Sequence, residues 1–180
     1  VRKGAIIRAL GRFARQRTGS VTVEMVILFP ILFMVFLMAF ELGILNVRQM
    51  ALARATDIVV RDVRLGTEGT PDFAAFRSRI CEVATIIRDC ENVIRIEMQS
   101  LPPERWATMT APPKCIDHAE TIDASLDFNH GVENELMFIR VCALFEPIFP
   151  GTGLGRKLPK NAEGEYALIV TSAFVNEPSI

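Results

Sequence analysis

Acidic residues are missing from positions 1–19, and charge of either sign is missing from positions 25–40. The first absence leaves Arg2, Lys3, Arg8, Arg12, Arg15 and Arg17 unopposed. The second leaves a stretch that a chain of this size has little core to hide. Histidine is scarce, with 2 in the chain, and neither pairs with a serine or cysteine in a nucleophile motif. Internal repeats are lacking, which excludes a solenoid. Residues 151–157 (GTGLGRK) are glycine-rich but lack the spacing and the final Ser/Thr of a phosphate loop. Aspartates and glutamates follow no pattern. Nothing proposes an active site, so we expect no enzyme, no cofactor, no metal and no small-molecule substrate.

What is present begins with the apolar run. Residues 25–40 read MVILFPILFMVFLMAF, Glu41 interrupts, and LGILNV continues to Val47. As one helix, residues 25–47 span roughly 35 Å at about 1.5 Å per residue. A bilayer core needs about 30 Å, so the length fits one crossing. The apolar region of a signal peptide is shorter, at about 7–15 residues. A buried core helix is the soluble alternative. Pro30 removes a backbone donor and should kink the helix, which membrane helices tolerate. Glu41 is expected to reach the outer interface. Glu24 lies at the inner edge, where a carboxylate is costly unless paired or wetted. It either marks the interface or awaits a cation.

Around that run the charge is asymmetric. The formal net charge is −1, but without the leader's basic residues 14 basic side chains face 21 acidic ones, a balance of −7. A basic flank predicts the cytoplasmic side. The acidic remainder then lies outside the cytoplasm and argues against nucleic-acid binding. The leader also sets Ile6, Leu10 and Phe13 on one helical face, opposite Arg8, Arg12 and Arg15, and can lie on anionic lipid. An arginine-rich transit peptide has similar composition but explains neither Gly19 nor Glu24.

Gly19, the small Ser20, Glu24 and the hydrophobic helix together resemble the type IV prepilin processing site. The stretch RTGSVTVEMVILFPIL is most similar to the TadE/TadF-type minor pilins of tight-adherence (Flp-type) pili. The resemblance implies that a membrane prepilin peptidase cuts after Gly19 and that Ser20 becomes the new terminus. Glycine lets its backbone approach a protease closely. It further implies that Glu24 neutralises a neighbouring subunit's freed amine. The expected partners are the membrane, the peptidase, other major and minor pilins and the assembly platform. The expected place is the bacterial inner membrane or the pilus, with a cytoplasmic N-terminus and a periplasmic C-terminal part.

Beyond the run, Val47, Met50, Ala51, Ala55, Ile58, Val59 and Val63 recur at helical spacing. The membrane helix should continue as an amphipathic stalk to near Gly66. Residues 67–70 read as a turn, with Thr70 capping a helix over 71–84 that opens on Pro71 and Asp72. Phe73, Phe76, Ile80 and Val83 line one face of it. Alternation predicts a strand over 93–99 and a weak edge strand over 122–128, and residues 136–145 and 166–175 read as the best strands. Residues 101–113 and 147–164 read as loops. The expected fold is α+β and pilin-like, a long N-terminal helix followed by a head of one helix and an antiparallel sheet. The divisions are a leader at 1–19, anchor and stalk at 20–66, and a head at 67–180.

Four cysteines, Cys81, Cys90, Cys115 and Cys142, all follow the membrane run. An even count in an oxidising compartment favours two disulfides, and three pairings are open. We expect Cys81–Cys90 and Cys115–Cys142. The first requires the second helix to end between its partners, because nine residues of helix would separate them by roughly 13 Å. A zinc site using Cys115, His118 and His130 is the alternative, but no second close pair accompanies it. Two functional classes remain: a processed minor pilin or pseudopilin, and an unprocessed single-pass protein with an extracytoplasmic binding or sensory head. A membrane-anchored enzyme ranks third.

Overall fold

The computed structural model describes residues 20–65, 72–101, 115, 128–129, 131–132 and 134–176. The leader, Gly66, Thr70, Pro71, His118 and His130 lie outside the described residues, as does most of the expected edge strand.

One helix, α1, runs from Ser20 to Arg64, 45 residues and roughly 68 Å at about 1.5 Å per residue. It passes through Pro30 without interruption, although that residue offers no N–H to the carbonyl one turn back. Arg61 and Arg64 occupy its last turn, where cations suit the negative end of the helix dipole. The stalk half is amphipathic. Leu52, Ala55, Val59 and Val60 are buried at the i, i+3, i+7, i+8 spacing of one helical face. Thr56 joins that face by donating its hydroxyl to the carbonyl of Leu52 at 2.9 Å, so its hydroxyl does not enter the core unpaired.

The head comprises α2 (Phe73–Val83), α3 (Cys90–Val93), β1 (Ile94–Ser100), β2 (Leu136–Phe145), α4 (Gly153–Lys157) and β3 (Tyr166–Val175). The cap of α2 is Asp72, whose carboxylate accepts from the Ala75 N–H at 2.8 Å. Its favourable capping chemistry sets the described start of α2 at Phe73 rather than at Pro71. Two short helices, α3 and α4, add to the single head helix expected. α4 forms inside what reads as an unbroken glycine- and proline-rich loop.

The strands form one antiparallel sheet of order β1-β2-β3. Phe128 adds an isolated parallel bridge to Met98, the described remnant of the expected edge strand. Side chains alternate across a strand, and the register gathers Ile94, Ile96, Met98, Met137, Ile139, Val141, Ala143, Leu168, Val170 and Phe174 on one face. That face packs with Leu52, Ala55 and Val59 of α1 and Phe76 and Ile80 of α2 in one cluster. Phe128 seals its edge, with ring centroids 5.5 Å from both Phe73 and Phe76. On the opposite face Glu97 lies between Arg95 at 3.8 Å and Arg140 at 3.6 Å.

Candidate functional site

The apolar half of α1 is the first part of the site. Between Val21 and Phe36 its large side chains are largely uncovered: Val26 is 66% exposed, Leu32 63% and Phe36 62%. The window that is long and apolar enough to cross a membrane is 0% buried by the rest of the protein. A core helix would be covered, so the lack of burial argues against the core-helix reading. α1 is consistent with a single-pass membrane anchor.

Ser20 opens α1 and Glu24 follows one turn later, which puts them on the same helical face. Glu24 is exposed and has no hydrogen bond or ion pair to another described residue. Gly19 lies outside the described residues.

Glu41 turns inward onto the head. It does not reach out to solvent or headgroups but is 3% exposed. Its Oε1 accepts the backbone N–H of Ile148 and its Oε2 that of Phe149, both at 3.0 Å. Bonds from N–H groups to an ionised acceptor are about twice as strong as neutral ones and offset part of the cost of burial. Two turns on, Arg48 donates to the carbonyl of Glu146 at 3.0 Å and to the Tyr166 hydroxyl at 2.9 Å. Its guanidinium also lies 4.9 Å from the Phe145 ring centroid, within cation–π range. Gln49 donates to the carbonyl of Ile169 at 3.0 Å. These polar contacts line the face of α1 that continues into Leu52 and Ala55. They fix the rotation and height of the head on the anchor. Sequence reasoning missed Glu41 and Arg48 as a pair. The available signal was their seven-residue spacing, which sets both on the core-facing stripe.

Beside that seam a half-open cleft of about 650 Å³ is lined by Ile44, Val47, Arg48, Ile86, Pro147 and Ile148, among others. Among the described residues no group of three or more His, Cys, Asp or Glu is placed to hold a metal. The cysteines are otherwise engaged. Cys81 is bonded to Cys90 and Cys115 to Cys142, each with Cα atoms 5.6 Å apart. The first bridge is possible because α2 stops at Val83 and residues 84–89 turn the chain back. A bridged Cys115 has no thiolate to offer zinc.

Residues 19–61 match the family model described as TadE-like protein. They form a TadE-like domain. Comparison with curated proteins and with solved structures gives no match. The TadE-like domain contains Gly19, Ser20, Glu24 and the whole apolar span, and its last part carries Glu41, Arg48 and the core stripe. The match supports a general minor-pilin or pseudopilin role. The sheet and α2 lie beyond the matched residues.

Proposed function

We propose that this protein is a minor pilin or pseudopilin of a tight-adherence (Flp-type IV) pilus, inserted through α1 and processed by a prepilin peptidase after Gly19. The observation that carries this reading is the TadE-like match, which begins at Gly19 and runs through anchor and stalk. On this reading residues 1–19 are a cytoplasmic leader, 20–66 anchor and stalk, and 67–180 a periplasmic head. Cleavage frees the amine of Ser20. Glu24, exposed on the same helical face, is then available to a neighbouring subunit's terminus. An unpaired carboxylate inside lipid is costly, and a cation opposite it removes much of that cost. The partners are the peptidase, other pilins and the assembly platform, and the protein helps to prime or cap the fibre from the inner membrane.

N-terminal sequencing of the protein from membranes of a host that carries the peptidase tests the reading. The expected first residue is Ser20. An intact arginine-bearing leader in such a host leaves a single-pass membrane protein and removes the pilin assignment.

A further inference from the structure

We propose that the β2–β3 connection is itself a membrane-contacting element: residues 147–157 lie in the bilayer interface beside α1, with Arg156 and Lys157 against anionic lipid headgroups. This rests on α1 crossing the membrane.

Depth is the first argument. Gly153 packs so close to α1 that a Cβ there would stand 2.6 Å from Cγ of Met38. The Phe149 ring lies 6.2 Å from that of Phe40, and Glu41 holds the N–H groups of Ile148 and Phe149. Met38 and Phe40 belong to the uncharged run 25–40. A hydrocarbon core of about 30 Å takes about 20 helical residues, so one starting at Glu24 ends near residue 43. Met38 is then roughly 8 Å inside its far edge. Lifting the connection clear of lipid would shorten the apolar run to residues 25–37, or roughly 20 Å, well short of a span.

Backbone chemistry is the second. Lipid offers no partner to an exposed N–H, so the donors of this segment need internal partners or the water of the interface. Pro147 and Pro150 have none. Those of Ile148 and Phe149 go to Glu41. Thr152 donates to the Phe149 carbonyl at 3.3 Å, Arg156 to that of Thr152 at 3.2 Å, and Leu158 to that of Leu154 at 3.1 Å. Lys160 covers the Gly155 carbonyl at 2.8 Å. A buried carboxylate serving two amides has a reason to exist where water cannot serve them.

Charge order is the third. Residues 147–155 carry no charge, and Ile148 is 40% exposed. Arg156 and Lys157 follow at once and are exposed. Basic side chains beside an anionic surface are attracted to it.

The test uses the full chain in vesicles of phosphatidylcholine and phosphatidylglycerol with brominated acyl chains. The single tryptophan is removed (Trp106→Phe), and one reporter is introduced at a time: Ile148→Trp, Pro150→Trp, Ala167→Trp on the exposed side of β3, and Phe33→Trp in mid-span. We expect bromines near the headgroups to quench the reporters at 148 and 150 severalfold more than the one at 167. Quenching at 148 and 150 no greater than at 167, with the reporter at 33 strongly quenched, overturns the inference and leaves the anchor standing. An unquenched reporter at 33 removes the anchor and the inference together. Two positions in the connection guard against one substitution that disturbs the fold. Arg156→Gln with Lys157→Gln should lower quenching at 148 in the anionic vesicles and not in pure phosphatidylcholine. Equal quenching in both lipids overturns the headgroup contact.

Discussion

The backbone N–H of Phe149 is donated to Oε2 of Glu41 at 3.0 Å, across 108 residues of sequence. With the Ile148 N–H on Oε1, it ties the head to the anchor at the top of the uncharged run. Removing the carboxylate leaves two buried donors without an acceptor. Glu41→Ala should therefore lower stability by about 2–3 kcal/mol, since each bond is to a charged group but only the net gain over water counts. Glu41→Gln keeps one acceptor oxygen and should lose roughly half as much. Thermal unfolding of the full chain in detergent measures both. Equal stability of all three proteins would mean the clamp contributes nothing.

Arg48 and Tyr166 form the next tie. Their hydrogen bond is 2.9 Å long, and the same guanidinium also holds Glu146 and the Phe145 ring. Arg48→Met should cost more than Tyr166→Phe, because it removes three contacts and not one. A double-mutant cycle should give a coupling of about 1 kcal/mol for the shared bond. Strictly additive losses would show that the two residues act separately.

The two disulfides differ in the loop they close. Cys81–Cys90 spans 9 residues and Cys115–Cys142 spans 27. On the chain-entropy model the longer closure stabilises by about 3.6 kcal/mol and the shorter by about 2.6 kcal/mol. Paired serine substitutions, followed by denaturant unfolding, should reproduce that order. Peptide mapping without reductant should recover 81 with 90 and 115 with 142.

The proposed processing at Gly19 calls for a residue whose backbone a protease can approach closely. Gly19→Ala should leave an uncut, slower-migrating band in a host that carries the peptidase, visible on an immunoblot. A band that migrates with the processed protein would count against Gly19 as the cleavage site.

Much of the fold is local and was therefore legible. β3 alternates buried and exposed residues as a half-buried strand does, and β2 falls on a near-continuous apolar run buried on both faces. The stalk stripe was legible in part: Ala55 and Val59 are buried where the helical period places them, but Met50 is 71% exposed and Leu52, outside the expected stripe, is buried. α4 was not legible, since glycine and proline dominate its neighbourhood and its packing partner is Met38 on α1. Thr70 reads as the cap of α2 and Asp72 as an acid of its first turn, whereas the structure makes Asp72 the cap. Which cap acts depends on where α2 must sit to bury Phe76 and Ile80.

The sequence by itself determined that one stretch suits lipid, that the leader is basic, and that the remainder folds as a stalk and an antiparallel head. These follow from composition and period, which each segment carries alone. Only the tertiary structure decided what Glu41 and Arg48 do and how low the β2–β3 connection reaches. Their partners lie about a hundred residues further along the chain. A charge beside an apolar run has the same appearance whether it meets water or two buried amides, so only the folded contact distinguishes them.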